Sequence, residues 1–154
     1  MLGVIVVGAF VVLDRLTKVL AVQNSTLKAS IIPHVLSVTS AVNTAGPLGL
    51  PISGGVFFVL SFVVASLLFV FVFFEERRSN QALFLAIIVG ILSNTIDRMQ
   101  YGYAIDVLRL EPGLVFNIAD LLIVGGVVLL FSRLVHQLFT ERHSLDHSEH
   151  HSLD

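Results

Sequence analysis

The stretch SGGVFFVLSFVVASLLFVFVFF, residues 53–74, contains no charged side chain and is made mostly of Phe, Val and Leu. A helix needs about 20 mostly apolar residues to cross the hydrocarbon of a bilayer, where no water can satisfy an unpaired peptide group. This stretch meets that requirement, so the chain reads as an integral membrane protein. Composition agrees: of 154 residues 55% are hydrophobic and 13% charged, with a mean hydropathy of +0.91, whereas soluble domains carry about 25% charged residues.

Three further segments have the length to span. The fourth in chain order, about Leu114 to Val135, carries only Asp120 and Arg133 as charges; the first, about Leu2 to Val22, and the third, about Ala82 to Tyr101, hold ionisable residues near one end. Together they predict an all-α membrane protein, a four-transmembrane-helix bundle forming one domain over residues 1–140. The first apolar run is not read as a cleaved leader. No Lys or Arg precedes it, and Asp14, Arg15 and Lys18 stand where a small-residue cleavage site would lie.

Orientation follows from the basic residues, which concentrate in short cytoplasmic loops. Arg77 and Arg78 in one turn, and Arg133 with Arg142 near the end, contrast with Lys28 and Arg109 on the other side. Both termini are expected inside, with Tyr101 and Tyr103 at the outer interface. Between Asn24 and Ile52 the chain is too polar to span. His34 to Asn43 reads as strand, and Asn43-Thr-Ala-Gly-Pro-Leu-Gly-Leu-Pro51 interrupts regular structure through its turn residues. A small β-rich flap on the outer surface is expected. The tail, residues 141–154, repeats His-Ser-Leu-Asp without an apolar face and is expected to be a disordered, His-rich cytoplasmic segment.

Several chemistries lose their basis at this point. Cys is absent, which removes disulfides, Cys-ligated zinc and a thiol nucleophile. A formal net charge of -2 gives no reason to expect nucleic acid as a partner. His34 and His136 fall on opposite sides of the membrane, which argues against a Ser-His-Asp triad. Gly54-Gly55 and Gly125-Gly126 read as close helix packing rather than a phosphate loop. No cofactor is implied, and metal ligation by Asp106 and Asp120 lacks a clear third ligand.

What remains is a set of ionisable residues at one depth. Such residues are costly inside a bilayer and normally face the bundle interior. In the predicted orientation Asp14 to Lys18 close the first span on the outer side, Asp97 and Arg98 close the third, and Asn117 and Asp120 open the fourth. Residues three or four apart share a helix face, so Asp14 stacks with Thr17 and Lys18, Asn94 with Asp97 and Arg98, and Asn117 with Asp120. Asp14 with Lys18, and Asp97 with Arg98, can equally be ion pairs that hold the helices together. Asp106 and Asp120 have no obvious cation beside them. If the link Val107 to Val115 folds back, their carboxyls meet and share a proton, and the pair can serve as general base and general acid on a peptide bond. A proton or ion relay is the competing use.

These residues resemble the motifs of signal peptidase II, the bacterial lipoprotein signal peptidases. Asp14-Arg-Leu-Thr-Lys18 is similar to the family's D-x-x-T-K. Asn94-Thr-Ile-Asp-Arg98 with Gly102 and Asp106 is similar to N-x-x-D-R-x-x-x-G-x-x-x-D, and Phe116-Asn-Ile-Ala-Asp120 to F-N-x-A-D. The resemblance implies a four-helix bundle with a β-rich extracytoplasmic cradle in the bacterial inner membrane, and cleavage before the diacylglyceryl-modified Cys of a prolipoprotein. It implies Asp106 and Asp120 as the catalytic pair, and Asn43, Asn94, Arg98, Asn117, Asp14 and Lys18 as residues that support the pair or hold substrate. The chain departs from the family pattern at the flap, Asn43-Thr-Ala-Gly-Pro-Leu-Gly, and at Ser93, Val107 and Leu121, differences that concern substrate fit more than chemistry. A small transporter and an inactive lipoprotein-binding homologue are the alternative readings.

Overall fold

The computed structural model describes residues 2–24, 26, 28–44 and 54–151. In order, the elements are α1 (Leu2–Gln23), β1 (Lys28–Ile32), β2 (Leu36–Asn43), α2 (Gly54–Phe74), α3 (Arg78–Tyr101), β3 (Ala104–Leu110), β4 (Leu114–Phe116) and α4 (Ile118–His151). Among the described residues three segments are long and apolar enough to cross a membrane: Gly55–Phe74, Arg78–Tyr101 and Ile118–Thr140. Helix α1 is long enough at 22 residues but falls outside that set, because Asp14, Arg15 and Lys18 interrupt its apolar run.

Helix α3 is the centre of the bundle and packs against α1, α2 and α4. Its buried face holds Ala82, Ala86, Ile87, Ile88 and Gly90, and then turns polar at Ser93, Asn94 and Asp97. Small residues set the distance to its neighbours. A Cβ on Gly90 would meet the Ala119 carbonyl oxygen at 2.7 Å, and one on Gly126 would meet Ile87 Cγ1 at 2.5 Å. Gly55 and Gly125 instead face open space, so the expected packing role holds for Gly126 and not for those two. Large apolar side chains point outward along the helices, with Phe62 at 74% and Phe73 at 72% exposure; a hydrocarbon solvent makes that favourable.

The four strands form one antiparallel sheet in the order β1-β2-β3-β4. It sits on the end of α1, where Ala21 packs with Ile105 and Val107, and where Ser40 Oγ donates to the Ala21 carbonyl at 2.9 Å. The register sets Ala41 opposite Asp106 and Asn43 opposite Ala104. The sheet therefore carries Asn43 and Asp106 to the same edge of the helix bundle.

The structure corrects several boundaries. His34 lies in the turn before β2, with φ 59°, rather than in the strand, and β1 adds a strand that was not expected, since five residues show too short a pattern to stand out. Asp106 sits on β3, and the link to the last helix is a hairpin; Leu114–Phe116 are its second strand, and α4 begins only at Ile118. A short apolar run does not by itself distinguish strand from helix. Helix α4 extends to His151. The turn-rich stretch of the flap, residues 45–53, lies outside the described residues, as do residues 152–154.

Candidate active site

The site is built at the start of α4. Asn117 is its N-cap: Asn117 Oδ1 accepts from the Asp120 N–H at 2.9 Å, and Asp120 Oδ2 accepts from the Asn117 N–H at 3.1 Å. This reciprocal pair is a capping box, with Asp in the place usually held by Glu. Because its oxygen is committed to a backbone donor, the Asn117 amide must turn Nδ2 the other way, and there it donates to Asp106 Oδ1 at 2.8 Å. One fully buried asparagine thus ties both carboxylates together.

Each carboxylate has a second amide. Asn43 Nδ2 donates to Asp106 Oδ2 at 3.1 Å, and Asn94 Nδ2 donates to Asp120 Oδ1 at 2.7 Å. The orientation of Asn94 is fixed as well, since its Oδ1 accepts from Lys18 Nζ at 3.0 Å and an ammonium can only donate. All four oxygens of the two aspartates therefore receive an N–H. Asp106 is fully buried and Asp120 half-buried. Burial pushes the Asp106 carboxyl above the usual carboxylate range, and the negative charge of Asp120 pushes it further, against the opposing pull of Asn43, Asn117 and Lys18.

Behind the pair lies an ion cluster that links α1, α3 and α4. Lys18 Nζ is 3.0 Å from Asp14 Oδ2 and 2.7 Å from Asp97 Oδ2. Arg15 reaches Asp97 at 2.8 Å and Asp14 at 3.2 Å. Two cations face two anions, so the cluster is formally neutral, which is the condition for keeping it out of water. Ser93 Oγ donates to Asp14 Oδ2 at 2.5 Å and accepts from Lys18 and from Arg15. The remaining Asp14 oxygen accepts from the Ala119 N–H at 2.9 Å, within the first turn of α4.

Of the residues singled out from sequence, Asp106, Asp120, Asn43, Asn94 and Asn117 come together at one point, while Asp14 and Lys18 stand one layer behind. Asp97, read with Arg98 as a possible ion pair, makes its salt bridges across helices with Lys18 and Arg15. Arg98 lies over the Phe57 ring, 4.5 Å from its centroid, and donates to the Asn94 carbonyl at 3.3 Å. Its charge acts on Asp120 and Asp106, so the two aspartates are not without a cation. Arg109, three residues from Asp106 on β3, points from the opposite face of the strand.

Arg15 and Ser93 went unread as members of the site. At i+1 from Asp14, Arg15 is off the shared face, and only its long side chain carries the guanidinium back. Ser93 was visible as a departure from the family pattern, and its hydroxyl is what that departure adds.

Helices suited to a bilayer, with two carboxylates joined by buried amides where a sheet meets the helix ends, define a polytopic membrane protein with a built polar centre. A family model described as signal peptidase (SPase) II matches residues 6–136. The lipoprotein signal peptidase of Halothermothrix orenii is 34% identical over 138 residues, covering 86% of this chain and 94% of that protein. That of Microcystis aeruginosa is 35% identical over 136 residues, covering 82% and 87%. A solved structure described as a bacterial membrane enzyme superimposes with a TM-score of 0.79 at 25% identity, covering 88% of each chain. The chain belongs to the signal peptidase II family.

Proposed function

We propose that the chain is an aspartic endopeptidase that removes the signal peptide of lipid-modified prolipoproteins, with Asp106 and Asp120 as the catalytic pair. The observation that carries this reading is the bridge through Asn117, which holds both carboxylates in one hydrogen-bonded unit. Two carboxyls so coupled share a proton near neutral pH. The ionised member takes a proton from water as its oxygen attacks the scissile carbonyl carbon, and the protonated member delivers its proton to the carbonyl oxygen. Collapse of the tetrahedral diol breaks the C–N bond: the leaving amine takes the proton that the base acquired, and a diol hydroxyl returns its proton to the other carboxylate as the carbonyl re-forms.

Asp120 stands in the first turn of α4 and Asp106 is sealed from solvent on β3. The two titrate as one unit, so base and acid are roles of the pair. Asn43, Asn94 and Asn117 hold the pair in position, and Arg98 balances charge beside it.

In this reading α1 also crosses the membrane, its charges neutralised by Asp97 from α3, giving four spans with both termini cytoplasmic and the site near the extracytoplasmic face. The substrate's diacylglyceryl chains, embedded among the helices, set the depth of the scissile bond next to the modified Cys. Residues 1–140 form the peptidase domain. The test is turnover of a lipidated prolipoprotein by the purified protein in lipid or detergent. Asp106→Asn and Asp120→Asn each abolish cleavage while leaving the fold intact. Wild-type turnover in either variant would remove the dyad from the mechanism.

A further inference from the structure

A second built feature runs along the bundle, from Leu121 beside Asp120 to Arg78 and Arg133 at the opposite end. Helices α1, α3 and α4 enclose a groove of about 580 Å³ whose walls are apolar, including Val6, Phe10, Leu83 and Leu122. Its depth comes from small side chains. Gly125 lines it, and a Cβ there would meet nothing within 4 Å. On α4 the lining runs from Leu121 to Arg133, about 18 Å of helix. That is close to one leaflet, half of a hydrocarbon core about 30 Å thick.

The groove ends in positive charge. Arg78 and Arg133 line it together with Ser79, and no Asp or Glu does. Arg133 donates to Ser79 Oγ at 3.1 Å and to Asn80 Oδ1 at 2.5 Å, both neutral, and Arg78 makes no ion pair among the described residues. The N-terminus of α3 lies at the same end, where the Glu75 carboxylate accepts from the Arg77 N–H at 2.9 Å. An apolar slot one leaflet long that closes on two arginines matches one amphiphile: an acyl chain in the slot and a phosphate at its mouth.

We propose that this groove is a binding site for a single anionic phospholipid of the leaflet next to the N-terminus of α3, with its phosphate held by Arg78 and Arg133. The arginine-lined mouth stands apart from the dyad, at the far end of a groove whose apolar end reaches Leu121, and the proposal does not depend on the peptidase reading. Occupancy holds α1 against α3 and α4 on the side remote from the ion cluster, so the lipid stabilises the bundle.

Native mass spectrometry of the protein released from detergent, titrated with phosphatidylglycerol or with phosphatidylcholine, tests this directly, alongside thermal unfolding in the same mixtures. One phosphatidylglycerol is expected to bind and raise the unfolding temperature. The double variant Arg78→Gln/Arg133→Gln weakens that binding about thirtyfold through the loss of two charge contacts. Gly125→Leu, which fills open space, abolishes it while the unliganded variant unfolds at or above the wild-type temperature. Equal binding of phosphatidylcholine, unchanged binding in both variants, or a dimer that buries the groove without lipid would each overturn the proposal.

Discussion

The Ala119 N–H donates to Asp14 Oδ1 at 2.9 Å, so a carboxylate of the first helix caps the last helix one residue before Asp120. Asp14 is 2% exposed and its other oxygen is held by Lys18, Arg15 and Ser93. Replacing it with Ala leaves Lys18 and Arg15 facing Asp97 alone. Leaving a buried charge uncompensated costs about 3–5 kcal/mol. Asp14→Ala is therefore expected to lower the unfolding temperature sharply and to depress turnover through displacement of α4. Asp14→Asn, which keeps an acceptor for Ala119, should retain more of both. Unfolding scans and turnover of the two variants check the ordering.

Asn117 performs two tasks that substitution can separate. Ser at this position can cap α4 but cannot reach Asp106 with an N–H. Ala removes both functions, and loss of the cap alone costs about 1 kcal/mol. Asn117→Ser is expected to stay near wild-type stability with turnover reduced by roughly a hundredfold, in the range of general acid–base contributions. Asn117→Ala should show the same catalytic loss with an added stability loss. If Asn117→Ser turns over at the wild-type rate, the bridge to Asp106 has no catalytic role.

The raised proton affinity of Asp106 has a signed consequence for stability. Its ordinary value is 3.8, and burial followed by the charge of Asp120 moves it upward. The folded state then binds the proton more tightly than the unfolded chain does. The contribution to stability is complete below the ordinary value and is lost as pH rises through the folded one. Wild-type protein should lose stability from about pH 4 upward through that limb, and Asp106→Asn should flatten the limb. Asp120→Asn, by removing the like charge, should shift it toward acid. Unfolding temperature against pH for the three proteins reads all of this.

Gly90 and Gly125 make a matched pair for packing. A Cβ on Gly90 meets the Ala119 backbone oxygen at 2.7 Å and Ile123 Cγ1 at 2.7 Å, while one on Gly125 meets nothing within 4 Å. Gly90→Ala is expected to push the first turn of α4 off α3, costing about 1–3 kcal/mol and weakening the Asn94–Asp120 hydrogen bond. Gly125→Ala should be neutral or gain up to about 1 kcal/mol from helix propensity. Chemical or thermal unfolding in detergent, with turnover alongside, distinguishes them.

Much of this architecture was legible along the chain. The apolar stretch ending at Phe74 is a helix because nothing else satisfies its backbone in hydrocarbon, and α2 ends at that residue. The spacing Asn117 to Asp120 put the two side chains together, although a helix expected from about Leu114 hid that they cap its start at Ile118. Asp14 and Lys18, four apart, pair within α1 as periodicity requires.

The remainder depended on distances between elements, which spacing within one element does not encode. Asp97 lies beside Arg98 in the chain, yet its partners are Lys18 and Arg15 of α1, because helix packing sets the α1–α3 separation. Asp106 reaches Asn117 through a strand whose register against β2 follows from pairing, and a three-residue strand such as Leu114–Phe116 has too short a pattern to separate from the helix that follows. The sequence by itself determined the apolar helices and the identity of the polar residues, since each is a property of neighbours within a turn or two. Only the tertiary structure decided which charge meets which and that both aspartates share Asn117, because electrostatic pairing falls off over a few ångströms of space and is blind to separation along the chain.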